Sequence, residues 1–152
     1  MRTARSAVLA ASGSVAAAAI GGIGARRAPE VYRKLDKPAW APPAGVFGPV
    51  WTGLYAAMGV AAFRLARRPA RAALRLHAAQ LALNAAWPLA FFSARDKRLS
   101  LGMIIALDAL VAAEVATAAR EDAVAAGLLA PYLAWCLFAT ALNAAVSDPA
   151  PA

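Results

Sequence analysis

The chain has 152 residues and a formal net charge of +8, and 62% of its residues are hydrophobic while 16% are charged. Soluble domains contain about 45–50% apolar and about 25% charged residues, so this composition argues against a soluble domain. The basic residues lie at the ends of apolar segments, a distribution typical of anchors on lipid phosphates rather than of nucleic-acid binding.

Five charge-poor segments of membrane-spanning length predict an all-α membrane protein, a single domain built as a five-transmembrane-helix bundle. The predicted helices lie near residues 7–24, 46–63, 76–93, 99–119 and 124–146, with a lid loop over residues 25–45. A soluble bundle would need a charged face on every helix, and segments one, two and five carry no charge. The first segment resembles a signal peptide, but its length and the following Arg26-Arg27 favour a membrane helix. Lys and Arg divide equally between the two predicted sides, so the orientation stays open.

The connector after the first segment contains the stretch KPAWAPPAGVFGPVWTGLY, residues 37–55. Pro42-Pro43 cannot continue a helix, so we expect Trp40 to lie on a stiff loop. Trp51 and Tyr55 follow on one face of the second helix, since they are four residues apart. Two interpretations remain open here: a lid over a pocket, or an interface loop with tryptophans at headgroup depth.

The third segment has one polar face, because residues spaced by three and four lie on the same side of a helix. Its members are His77, Gln80, Asn84 and Trp87. Amide side chains are costly in hydrocarbon without partners, so this face is predicted to look into the bundle. The amides could line a site, or they could simply join helices.

The fourth segment carries Asp108 and Glu114, which are six residues apart and therefore on different faces. This spacing argues against a paired-carboxylate catalytic site, and Asp108 should be protonated, paired or turned to a polar interior. In the fifth segment, Trp135 and Ala139 share a face, and Asn143 follows at the next i+4 position. The chain has one Cys and one His, so we expect neither an internal disulfide nor a metal site.

Three blocks of the sequence together resemble the TspO/MBR family of tryptophan-rich sensory proteins and translocator proteins. They read LDKPAWAPPAGVFGPVWTGLY, AAQLALNAAWPLAFF and PYLAWCLFATALN, in that order. The resemblance implies a five-helix bundle, commonly a homodimer, with a ligand cavity beneath the loop between the first two helices. Ligands of the family are porphyrins such as protoporphyrin IX, sterols in eukaryotic members, and synthetic isoquinoline carboxamides and benzodiazepines. The Tyr and basic residue of the sterol motif are absent after Asn143, which argues against sterol recognition through that motif.

The resemblance also implies the positions of the ligand site. They are Pro42, Trp51, Tyr55, Asn84, Trp87, Trp135, Ala139 and Asn143, and the loop geometry adds Trp40 as part of the lid. Some family members degrade porphyrin in the light with tryptophans that match Trp51 and Trp135. These two residues are therefore the catalytic candidates if the chain is an enzyme.

Three functions are consistent with the sequence. The first is a multi-pass receptor or sensor, expected in a bacterial cell membrane, that binds a tetrapyrrole non-covalently among lipids. The second is a light- or oxygen-dependent porphyrin-degrading enzyme, and the third is a transport protein for porphyrin or lipid. Transporters usually contain two repeated halves with broken helices, and no such repeat is visible here.

Overall fold

The structure is a computed structural model that describes residues 2–148, with side chains from residue 7 onward. Six α-helices account for most of this range. They are α1 (Arg2–Gly24), α2 (Ala28–Lys34), α3 (Phe47–Ala66), α4 (Arg71–Pro88), α5 (Lys97–Glu121) and α6 (Ala123–Ala145). A 3₁₀ turn, Ala44–Val46, leads into α3, and a π-helical turn, Leu89–Ser93, extends α4.

The prediction of an all-α membrane protein is confirmed, but the predicted count of five helices is not matched. Four helical stretches within residues 2–148 are long and apolar enough to cross a membrane: Ala7–Gly24, Ala44–Ala66, Lys97–Glu121 and Ala123–Ala145. Helix α4 falls outside this set because Arg71, Arg75 and its buried polar face lower its mean hydropathy. The sixth helix is α2, which is too short to span a membrane.

Helix α2 lies inside residues 25–45, which were predicted to form a loop. Pro29 stands in its first turn, where a missing backbone N–H costs nothing. Glu30 and Lys34 form an i,i+4 ion pair of 2.9 Å on its exposed side. At its other end the ammonium group of Lys37 donates to the carbonyl oxygens of Tyr32 at 2.8 Å and Leu35 at 2.6 Å. The loop prediction was wrong here because these local contacts stabilise two helical turns.

The five long helices close into a ring. Helix α1 packs against α3 and α4, α5 packs against α4 and α6, and α6 also packs against α3. Fully buried side chains fill the centre, the largest being Tyr132, Met58, Leu65 and Leu129. The ring leaves open space near the α2 end, where the aromatic residues cluster.

Asp122 lies at the α5–α6 turn and connects the C-terminal end of α3 to the N-terminal end of α6. Its side chain accepts hydrogen bonds from the backbone N–H groups of Val124 and Ala125 at 3.0 Å, which caps α6. The guanidinium group of Arg64 on α3 lies 3.0 Å from the same carboxylate. The backbone donor of Ala125 and the charge of Arg64 together lower the pKa of Asp122.

We expect Asp122→Ala to lower the thermal unfolding temperature of the purified protein at neutral pH. Because the pKa is lowered in the folded state, the contribution of Asp122 is complete above the ordinary value of about 3.9. It is lost as the pH falls from there through the lowered pKa. Thermal scans between neutral and acidic pH check this, with Asp148→Ala, an exposed surface carboxylate, as the control. An equal effect of the two substitutions at pH 7 would contradict the capping role.

Candidate ligand cavity

Two adjoining cavities lie inside the ring near the α2 end. The inner cavity, between α1, α3, α4, α5 and α6, has a volume of about 380 Å³. The lid cavity, which α2 and the 3₁₀ turn border, has a volume of about 290 Å³. Both are close in size to known small-molecule sites, which begin at about 300 Å³. They share five lining residues: Ala25, Trp51, Trp87, Phe92 and Ala139.

Trp51 is the centre of the aromatic lining. Its ring lies 5.5 Å from that of Tyr55, one turn later on α3, and 6.2 Å from that of Tyr132. The ring of Trp135 on α6 meets it edge to face at 6.4 Å. Such arrangements are favourable for aromatic pairs and leave ring faces free to stack on a flat ligand.

Trp87 forms the opposite aromatic group with the π-helical turn. Its ring stacks on Phe91 at 5.0 Å and meets Phe92 at 5.8 Å. Its indole N–H donates to the carbonyl oxygen of Ser100 at 3.0 Å, which fixes the ring against α5. The π turn after Pro88 adds a residue to the helical turn, with Phe91 beside the lid cavity and Phe92 beside both cavities.

The polar groups differ between the two cavities. In the inner cavity the Tyr55 hydroxyl donates to Asn84 Oδ1, and Asn84 Nδ2 donates at 2.8 Å to the hydroxyl of Tyr132, a fully buried residue that lines neither cavity. In the lid cavity, Trp135 Nε1 and Asn143 Oδ1 are buried and have no hydrogen-bond partner within the described part of the chain. Buried polar atoms are normally paired, so this donor and this acceptor are free to bond a ligand.

The segment between α1 and α3 covers the lid cavity and is fastened at two points. The Tyr32 hydroxyl donates to the carbonyl oxygen of Pro42 at 2.7 Å. Asp36 and Ser147 exchange two backbone hydrogen bonds of 3.0 and 3.1 Å, which join the lid to the end of α6. The segment is therefore held in place and borders the cavity with Tyr32 and Ala44.

The structure brings seven of the nine residues expected from the sequence to these cavities: Trp51, Tyr55, Asn84, Trp87, Trp135, Ala139 and Asn143. Trp40 and Pro42 line neither cavity. Trp40 is 52% exposed, and its ring packs 5.9 Å from that of Phe138 on α6. Pro42 acts through its carbonyl group, which accepts the Tyr32 hydrogen bond.

Several lining residues were not found from the sequence. Tyr32 lies on the unexpected helix α2, and Phe47 was missed although it lies four residues before Trp51, a spacing that places both on one face of α3. Gly21 was a weaker signal, since glycines near the lid end of the first helix allow close approach. A Cβ atom there would lie 3.5 Å from the Tyr55 hydroxyl oxygen, so the absence of a side chain at Gly21 leaves more space in the inner cavity.

Replacing Lys37 with methionine should loosen the lid. The Lys37 ammonium group bonds three backbone carbonyl oxygens at the C-terminal end of α2, those of Tyr32, Arg33 and Leu35. Methionine keeps the apolar stem and removes these bonds, so we expect faster backbone hydrogen exchange over residues 28–43. Lys34→Met, which removes only an exposed ion pair, is the matched control. Equal exchange in the two variants would contradict the role of Lys37.

Comparison with known proteins decides the family. The model of the TspO/MBR family matches residues 7–147. The chain belongs to the TspO/MBR family. It is 41% identical to the human translocator protein over 118 residues, which is 74% of this chain and 70% of the human protein. It is 39% identical over 115 residues to the tryptophan-rich sensory protein of Cereibacter sphaeroides, covering 75% and 73%. With the tryptophan-rich protein TspO of Chlorobaculum tepidum it shares 35% identity over 117 residues, covering 74% of each chain.

The three sequence blocks that resemble the TspO/MBR family meet in the folded chain. The first forms the lid and the α3 wall with Trp51, the second forms the α4 wall with Asn84 and Trp87, and the third forms the α6 wall with Trp135 and Ala139. Residues far apart in the sequence therefore enclose one aromatic space.

Proposed function

We propose that the chain is a membrane receptor or sensor that binds a flat hydrophobic tetrapyrrole, such as a porphyrin, in the two adjoining cavities. One observation carries this proposal: three tryptophans surround the cavities, and the lid cavity also holds an unpaired donor and an unpaired acceptor. Large rings bind a flat macrocycle through its faces, and a few placed polar groups orient it.

The two unpaired atoms suit the chemistry of a porphyrin. An indole N–H at Trp135 donates to a carboxylate or carbonyl oxygen, as on the rim of the macrocycle. The Asn143 oxygen accepts from a pyrrole N–H or a hydroxyl group. These two atoms belong to residues of the lid cavity, whereas the Tyr55–Asn84 pair borders the inner cavity. The inner cavity would therefore hold the apolar part of the ligand. Binding is then non-covalent, and the relative named a tryptophan-rich sensory protein agrees with a sensory output.

The proposal includes a bundle that crosses the membrane five times. Helix α4 completes the ring of long helices, with contacts to α1 and α5. Its polar residues His77, Gln80 and Asn84 are at most 4% exposed, so they contribute nothing to its outer surface. Hydropathy averaged over the whole helix therefore understates how apolar the lipid-facing side is.

A second candidate is an enzyme that oxidises bound porphyrin with dioxygen in the light. It rests on the edge-to-face contact of Trp51 and Trp135, whose ring centroids are 6.4 Å apart at the border of the lid cavity. Both indole rings would lie beside the excited macrocycle and hold it in place, while dioxygen is the oxidant that takes the electrons the porphyrin loses.

One experiment separates these functions. Purified protein in detergent is mixed with protoporphyrin IX, and the absorbance is followed in the dark and in the light. Saturable binding with a stable spectrum in both supports the receptor. Light-dependent loss of the porphyrin bands, abolished in Trp51→Phe and Trp135→Phe but retained in Trp40→Phe, supports the enzyme. Absence of saturable binding in the dark overturns both.

A further inference from the structure

A second group of polar side chains lies in the bundle, outside the ligand cavities. His77 Nδ1 on α4 is 2.6 Å from Glu114 Oε1 on α5, and these residues are 3% and 0% exposed. No Lys or Arg within the described side chains forms an ion pair with Glu114. Its second oxygen, Oε2, is buried without a hydrogen-bond partner in that part of the chain. His77 is therefore the single group there that can balance the charge of this carboxyl group.

The geometry fits a pair that binds and releases one proton. The short Nδ1–Oε1 contact holds one shared proton, whether it is bonded to nitrogen or to oxygen. A further proton on Nε2 makes the pair neutral, and its loss makes the pair anionic. Ser14 Oγ lies 3.4 Å from Nε2, and a hydroxyl group can accept from or donate to that nitrogen, so it accommodates both states. His77 also borders a separate cavity of about 450 Å³ between α1 and α4.

Close contacts connect this pair to the inner cavity. Gln80 Nε2 lies 3.3 Å from His77 Nδ1, where its amide dipole is exposed to the charge of the pair, and Gln80 Oε1 accepts from the Tyr132 hydroxyl at 3.0 Å. The Tyr132 oxygen accepts from Asn84 Nδ2, and Asn84 Oδ1 accepts from the Tyr55 hydroxyl. Each amide has one donor end and one acceptor end, so the chain of bonds has a fixed direction. A change at His77 that reorients Gln80 therefore changes the bonds available at Tyr55.

The surroundings of the pair contain few other titratable groups. The side chains in or next to the hydrogen-bonded group are Ser14 from α1, Tyr55 and Met58 from α3, and Tyr132 and Cys136 from α6. On α5 the other acid, Asp108, accepts a hydrogen bond of 2.7 Å from Thr140 and belongs to a different contact. Glu114 and His77 are thus the acid and the base of this group.

We infer that His77 and Glu114 form an intramembrane proton-binding site whose occupancy is coupled to the ligand cavity through Gln80, Tyr132 and Asn84. Carboxyl and imidazole groups inside membrane proteins are costly, and they commonly mark proton sites. The ligand half of this inference rests on the proposed function.

The direction of the coupling follows from burial. An apolar ligand displaces water beside Tyr55 and Asn84, which makes an anionic pair more costly and favours the neutral, protonated pair. Ligand should therefore bind more tightly below the pH at which the pair loses its proton. By linkage, the ratio of the ligand affinities of the protonated and deprotonated protein must equal the ratio of the proton affinities with and without ligand. We expect a ratio of about fivefold, which equals a shift of about 0.7 pH unit.

The single histidine makes this testable by NMR. Full-length protein with ¹⁵N-labelled histidine, purified through a tag without histidine, is placed in lipid nanodiscs. The ring nitrogen signals then report His77 alone. The probe is protoporphyrin IX dimethyl ester, which has no carboxyl groups that titrate. Binding of the ester should raise the midpoint pH of the His77 titration. The corresponding change in the proton dissociation constant should equal the ratio of the ester affinities at low and high pH.

Two variants separate coupling from a purely structural pair. Tyr132→Phe removes the bridging hydroxyl from a residue that lines neither cavity, so the ester should still bind and the His77 shift should vanish. Thr117→Val, which removes an exposed hydroxyl on α5, should keep the shift. In Glu114→Gln the charged state is the protonated one, so the ester should no longer bind more tightly at low pH. An unchanged His77 midpoint on filling the wild-type cavity overturns the inference, and so does a full shift in Tyr132→Phe.

Failure of the proposed function is recognised separately. An ester that does not quench tryptophan fluorescence is not bound, which counts against the porphyrin site itself. The coupling is then decided without ligand, by comparing His77 titrations of wild type and Tyr55→Phe. A displaced midpoint supports a connection between the cavity wall and the pair, and an identical midpoint overturns it.

Discussion

Replacing Ala139 with leucine should weaken the binding of protoporphyrin IX about tenfold. Ala139 lines both cavities, between Trp51 and Trp87, and its small side chain leaves the space between them open. Leucine adds three carbons to this shared wall. Overpacking of a fitted space costs about 1–3 kcal/mol, and about 1.4 kcal/mol equals a factor of ten in affinity. Quenching of tryptophan fluorescence during a porphyrin titration in the dark measures the change.

Ala134→Leu is the matched control for this prediction. Ala134 lies on the same helix, is exposed, and lines neither cavity. The same increase in side-chain volume there should leave the affinity unchanged, and it also controls for effects on folding. Unchanged affinity in Ala139→Leu would show that porphyrin binds elsewhere.

Helical periodicity explains why most of the site could be predicted. The repeat of 3.6 residues fixes which side chains share a face, so Trp51 with Tyr55 and Asn84 with Trp87 follow from spacing alone. The cost of amides in hydrocarbon then turns the Asn84 face inward, and the structure has it 4% exposed. That these faces meet around one cavity was expected from the family resemblance, and the TspO/MBR membership itself is confirmed.

Loop positions could not be predicted in the same way, because a loop has no period. Trp40 was expected among the ligand-binding residues as part of the lid; it lies in that segment but lines neither cavity, and its ring packs against Phe138 of α6. Helix α2 depends on a lysine side chain that folds back from the following loop, and no pattern in the sequence indicates that contact. The pair of His77 and Glu114 shows the same limit, since spacing gives the face of each helix but not the rotation of one helix against another.

Hydropathy averages over the two different faces of α4. Its charged first turn and its inward polar face lower the average, and that face is sealed by Glu114, Tyr132 and Met58. A mean over the whole helix therefore does not describe its outer face.

Replacing Glu114 with alanine should destabilise the protein by about 3 kcal/mol, the lower end of the range for breaking a buried pair. The substitution leaves His77 Nδ1 buried without its partner. Glu114→Gln keeps an oxygen that accepts from Nδ1, so its loss should be smaller, about 1 kcal/mol. Unfolding in mixed micelles with increasing dodecyl sulfate, followed by circular dichroism, gives the free energies.

The double substitution His77→Leu with Glu114→Leu identifies the cause of that loss. If the cost comes from an unpaired buried polar group, removing both partners should restore part of the stability, since apolar replacements of a buried pair are often close to neutral. Ser14 and Gln80 then lose only the longer contacts of 3.4 and 3.3 Å. A double variant less stable than Glu114→Ala would instead assign the loss to packing. A Glu114→Ala variant as stable as wild type would show that the pair contributes little, which would leave its burial to be explained by proton binding alone.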